Sequence, residues 1–167
     1  MPRPLLFLDV DGPLLPFGAP NGYPDRSPSR GSAPGANPLL SRLDPGLGPR
    51  LAALPCELVW ATSWMTDANE CIAPRLGLPD LPVVTWPEPS QEDERDQDAG
   101  LHWKTRGLLR WAAGRAFCWV DDEITEADRA WVSRHHRGRS LLHVVDPRRG
   151  LTGTDFSALG DWLGAER

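Results

Sequence analysis

LLFLDVDGPL, residues 5–14, governs how the rest of the chain is read. Four apolar residues run into Asp9, and Gly12 with Pro13 then stops the run, the pattern of a short buried strand that ends on a carboxylate. Two later apolar runs also stop at polar residues. Residues 57–61 (ELVWA) close on Thr62 and Ser63, and residues 115–120 (RAFCWV) close on Asp121 and Asp122. Residues 81–84 and 140–145 complete the strand candidates.

Helical patterns lie between these runs. One covers 39–54, with a start weakened by Gly46 and Gly48. Thr66 reads as the N-cap of a helix over 67–76, with Asp67 and Glu70 well placed for the helix dipole. Residues 102–113 form a basic amphipathic pattern, Thr125 and Asp128 resemble a capping box opening a helix to about His135, and Thr154 reads as the cap of a last helix over 155–163. Residues 88–98 carry six acidic side chains against one arginine and read as a solvated loop, not a metal cluster.

Alternating strands and helices predict a three-layer α/β/α sandwich with a mostly parallel, Rossmann-like sheet, in a single domain over residues 1–167. Ligands of such sheets gather beyond the carboxyl ends of the strands, so Asp9, Thr62 and Asp121 should meet at one edge. Residues 13–37 are rich in proline, glycine and serine and have no period. A flap or insertion over 13–43 is expected, with Phe17, Tyr23, Arg26 and Arg30 as its cap-like side chains.

Composition narrows the function classes. A chain of 167 residues can bury roughly two-thirds of its unfolded surface. A formal charge of −5 argues against a protein that coats nucleic acid, although a local basic pocket can still take a phosphorylated end. Eighteen prolines are about twice the usual share, and eight tryptophans dominate the aromatic residues. The three cysteines, Cys56, Cys71 and Cys118, lack metal or disulfide spacing and read as reduced core thiols. The sequence has no long apolar segment and no signal-peptide pattern, so a cytoplasmic protein is expected.

Carboxylates gathered at a strand edge suit Mg²⁺, which takes oxygen ligands and commonly links a substrate phosphate to one or two of them. One carboxylate can then act as a nucleophile, dividing a slow displacement into two easier steps. On these residues the chain resembles the haloacid dehalogenase (HAD) superfamily of phosphohydrolases, in its minimal or nearly capless form. The first family motif, a hydrophobic strand followed by DxDG, matches 5–14. The resemblance implies Asp9 as nucleophile and metal ligand, Asp11 as general acid/base with its backbone carbonyl on Mg²⁺, and Gly12 as the turn residue beside the substrate. The second motif matches LVWATSW, with Thr62 holding a phosphate oxygen through its hydroxyl and Ser63 adding a backbone donor. The family's lone lysine falls on Lys104, which would offset charge on an aspartyl-phosphate. The fourth motif matches FCWVDDE, which implies Asp121 as a direct metal ligand and Asp122 as a direct or water-mediated one.

Trp64 and Trp103 flank proposed catalytic residues and are candidates for shaping the substrate entrance, whereas Trp111, Trp131 and Trp162 fall in helices and read as core. The expected activity is Mg²⁺-dependent hydrolysis of a phosphate monoester on a nucleotide, a nucleic-acid end or another phosphorylated substrate. A phosphate- or phosphoprotein-binding module of the same fold, with little catalytic power, is the competing expectation.

Overall fold

The computed structural model describes residues 2–27 and 37–165. Arg30, one of the expected cap-like residues, lies outside them. Four strands, β1 (Leu5–Leu8), β2 (Glu57–Trp60), β3 (Phe117–Asp121) and β4 (Ser140–Val144), pair in parallel in the order β2-β1-β3-β4. The connection from β1 goes to one side, to β2, and the chain then crosses back to β3. The switch point therefore lies between β1 and β3, where an open parallel sheet forms its ligand crevice.

Alternation along β1 builds the three layers. Leu6 and Leu8 point into a core shared with α1 (Leu47–Ala52), α2 (Ala73–Leu76) and α6 (Gly153–Gly164). Leu5 and Phe7 point the other way, onto Leu108 and Ala112 of α4 (Thr105–Ala112) and Val132 of α5 (Glu126–His135). A strand buried on both faces has to be apolar at every position, which is why β1 reads as a run with no polar alternation. Gly48, which seemed to weaken its helix, lets α1 lie directly against the Leu76 carbonyl, where a Cβ would collide.

Several expectations need correction. Residues 81–84 form no strand; the segment adds one isolated bridge, Trp60 to Val83, to the edge of β2. Asn69 holds it there, accepting from Trp60 Nε1 and Leu81 N at 2.8 Å each and donating to the Leu81 carbonyl at 2.9 Å. Thr66 does not cap the helix that follows: a π-helical turn (Ala68–Ile72) leads into α2, with Asp67 at the cap position and no side-chain cap bond. Thr152, not Thr154, caps α6 through a capping box with Asp155.

The acidic stretch is not a loop. Ser90 and Asp93 form a capping box that opens α3 (Gln91–Asp98). Asp96 of α3 takes a two-pronged bond from Arg106 on α4, at 2.6 and 2.9 Å, and Glu92 pairs with the same guanidinium at 3.0 Å. The basic helix itself begins at Thr105, three residues later than its pattern suggests. Trp111 is 39% exposed and so is not core, while Trp131 and Trp162 are half-buried. Cys56 and Cys118 are buried and Cys71 half-buried, all as free thiols. Among the described residues, no helix is long and apolar enough to cross a membrane.

Candidate active site

Register sets the site. Leu8 pairs with Trp60 on one side and Val120 on the other, and the ladder continues one step further through Asp9 N to the Val120 carbonyl and Ala61 N to the Leu8 carbonyl. Asp9 and Asp121 therefore leave adjacent strands at the same level, at the switch point. The carboxylates of Asp9, Asp121 and Asp122 converge so that their oxygens lie within 4.8 Å of one another. It is the one such group of side chains able to hold a metal ion among the described residues.

Lys104 enters from the turn before α4, almost fully buried, and its ammonium reaches Asp121 Oδ2 at 2.7 Å and Asp9 Oδ1 at 3.2 Å. Arg106, on the same helix, is occupied by α3, so Lys104 is the cation that faces the carboxylates. Asp9 Oδ1 also accepts from Val10 N at 2.8 Å. Both contacts fall on one oxygen, which leaves Oδ2 the less encumbered one.

One ammonium does not balance three carboxylates. Burial, helped by the charge of Asp121, raises the Asp9 carboxyl to about 7 against the pull of Lys104. Burial and Asp121 likewise raise Asp122 to about 7. Burial also pushes Asp121 upward, but the ammonium, its hydrogen bond and the Glu123 N–H together hold it below the ordinary carboxylate range. Burial disfavours the charged Lys104, and its two carboxylate partners overcome this and raise it. An all-oxygen cluster with uncompensated negative charge suits a hard divalent cation, so the donor set fits Mg²⁺.

Gly12 closes the site from below. Its φ of +98° is the left-handed region, and a Cβ would stand 2.8 Å from the Asp122 carboxyl carbon. Only glycine allows the turn after Asp11 to press against that side chain. The chain then makes a tight helical turn, with Leu14 N and Leu15 N both donating to the Val10 carbonyl at 3.0 Å.

The remaining expected residues fall around this centre. Asp11 is half-buried, its carboxylate lies outside the cluster of Asp9, Asp121 and Asp122, and its Oδ2 accepts from Trp64 Nε1 at 3.2 Å. Thr62 stands at the sheet edge but is fully buried, with Oγ1 accepting from Trp64 N at 3.2 Å. An oxygen that accepts one N–H keeps its own proton to give. Ser63 is exposed, and Trp103 is 47% exposed, packed edge-on to Trp86 at 4.9 Å between ring centres.

Three supporting residues are not assigned to the site by sequence reasoning, although Asp128 does show there as the partner of Thr125 in the capping box that opens α5. His102 Nδ1 accepts from Lys104 N at 3.1 Å, so that ring nitrogen carries no proton, and burial lowers the imidazole's basicity. Asp128, fully buried at the start of α5, accepts from His102 N at 2.8 Å and Thr105 Oγ1 at 2.7 Å. Trp86 Nε1 donates to the Thr62 carbonyl at 3.2 Å. The contacts of Asp128 with His102 and Thr105, and of Trp86 with Thr62, join elements far apart in the chain.

Residues 5–156 match the family model described as "HAD domain in Swiss Army Knife RNA repair proteins". Neither a curated protein nor a solved structure matches the chain.

Proposed function

Since the chain belongs to the family of HAD domains in Swiss Army Knife RNA repair proteins, we propose that it is a Mg²⁺-dependent phosphomonoesterase working through an aspartyl-phosphate on Asp9. The observation that carries this reading is the convergence of Asp9, Asp121 and Asp122 within 4.8 Å beside the Lys104 ammonium. Asp9, Asp121, Asp122 and the backbone carbonyl of Asp11 would hold the metal. Bound there, Mg²⁺ would neutralise the carboxylates and let a phosphate dianion approach.

Asp9 then attacks phosphorus through Oδ2, forming a carboxylate–phosphorus bond as the ester P–O bond breaks. Asp11, steadied by Trp64, gives its proton to the leaving oxygen. In the second step Asp11 takes a proton from water, which attacks the phosphoryl group and releases Asp9 as a carboxylate. Lys104 opposes the effect of burial on Asp9, favouring its ionised form, and offsets charge on the acyl phosphate. Thr62, Ser63 and Gly12 line the phosphate's place, with Thr62 also ordering the loop that carries Trp64. Trp64 and Trp103 border the entrance, where a base or ring can stack.

The family's description concerns RNA repair, which supports an RNA end bearing a phosphate monoester as the first substrate class to try. The experiment is phosphate release from 5′- and 3′-phosphorylated oligonucleotides, nucleotides, sugar phosphates and phosphopeptides, with and without Mg²⁺. Mg²⁺-dependent release on any of these supports the enzyme. Tight binding of phosphate mimics with no turnover across the panel would favour a binding module instead.

A further inference from the structure

Beside the nucleophile loop lies a groove of about 360 Å³ whose lining includes Pro13 and Leu14, the residues that directly follow Gly12. Its walls are the flap after β1 and the turn after β4, two loops that leave the same sheet edge as the carboxylates. The turn is tied to the nucleophile loop, with Leu151 N donating to the Pro13 carbonyl at 2.8 Å. Four arginines, Arg26, Arg42, Arg148 and Arg149, line this groove against one acidic residue, Asp44. In a chain of net charge −5, that is a local reversal of sign next to the candidate active site.

We infer that this arginine groove binds the phosphodiester backbone of a polynucleotide whose terminal phosphate sits at Asp9. The inference rests on the phosphatase reading and assigns its substrate a second anchoring place. A monoester's own phosphate is accommodated at the aspartate cluster. A separate cationic groove a few residues along the chain serves only a substrate that carries further phosphates beyond the one removed. Guanidinium groups suit that task, because their planar donors match phosphate oxygens in pairs.

The groove is also largely preformed. Arg42 donates to the Pro16 carbonyl at 3.1 Å and lies over the Tyr23 ring at 4.8 Å, and Arg26 pairs with Asp44 at 3.3 Å. Tyr23 donates its hydroxyl proton to the Arg148 carbonyl at 3.0 Å, fastening flap to turn. Asp146 fixes the turn itself, accepting from Arg148 N through its side chain at 3.0 Å and from Arg149 N and Gly150 N through its carbonyl at 3.1 and 2.9 Å. Arg148 and Arg149 thus project, exposed, from a backbone held in place on both sides.

The test is fluorescence anisotropy with an end-phosphorylated single-stranded RNA ten-mer. It compares Asp9→Asn, which keeps the ligand intact, with the same protein carrying Arg148→Ala and Arg149→Ala. Each lost phosphate contact should lower the salt slope of log affinity by about 0.7 for a single strand. The expected result is a loss of at least about tenfold in affinity and a slope shallower by about 1.4 for two contacts. Arg148→Lys with Arg149→Lys should keep most of that slope. In the Asp9-intact protein, the preference for the ten-mer over a mononucleotide in kcat/KM should fall with the double alanine change. Equal affinity and equal salt slope with and without the arginines would overturn the inference, as would no RNA binding by Asp9→Asn at low salt. Failure of the wild-type protein to hydrolyse any monoester would count against the phosphatase, and the binding result would stand apart from it.

Discussion

Replacing Lys104 by Met would leave Asp9 and Asp121 facing each other in a buried pocket with no cation between them. Breaking a buried ion pair from one side costs about 3–5 kcal/mol, so the variant should lose stability on that scale in urea titrations at pH 8. The loss should shrink at pH 5, where the carboxylates can protonate; equal losses at both values would count against the pairing. Gly12→Ala adds a left-handed strain of about 1–3 kcal/mol to a collision with Asp122. It should lower thermal stability and weaken metal binding together, as read by calorimetry with and without Mg²⁺. At this scale much was legible in the sequence. Asp9 and Asp121 can be placed together because each ends a strand and the sheet gathers those ends, whereas Asp122 and Lys104 are named through the resemblance to the HAD motifs. His102 and Asp128 cannot be assigned to the site, because Asp128 shows in the sequence only as the capping partner of Thr125, and its contacts to His102 and Thr105 cross to another element.

At the scale of elements, α3 depends on its neighbour. A helix this acidic has little apolar surface, so its order rests on the Ser90–Asp93 box and on Arg106. Arg106→Ala should raise amide exchange across 91–98 by at least about tenfold while leaving the sheet unchanged; uniform protection in the variant would contradict this. The strands were readable because each is short and apolar and stops at a polar residue. Residues 88–98 read as a loop in the sequence because their helix is held by a partner in another element, which charge counting along the chain does not reveal. Residues 81–84 have the strand composition, yet the chain there pairs with β2 through Trp60 alone, by bonds from Trp60 N to the Pro82 carbonyl and from Val84 N to the Trp60 carbonyl at 2.9 Å each.

For the whole molecule, the site couples stability to pH and metal. Asp9 and Asp122 are raised in the folded protein to about 7 from 3.8. Between those values the native state holds protons that the unfolded chain has already lost, so metal-free stability should fall as pH rises from about 4 through 7. Mg²⁺ must displace the same protons. Its affinity should therefore rise with pH by up to about tenfold per unit for each group below 7 and level off above, as titration calorimetry at pH 6, 7 and 8 would read. Affinity independent of pH over that range would mean that the cluster does not hold the metal.

The covalent route can be tested most directly by acid-quenching the protein within its first turnovers on a ³²P-labelled phosphate monoester in Mg²⁺ and mapping the label. The expected result is ³²P on the peptide containing Asp9, labile to hydroxylamine as an acyl phosphate, with Asp9→Asn showing neither label nor turnover. Turnover without labelled protein, together with activity in Asp9→Asn, would contradict an aspartyl-phosphate on Asp9.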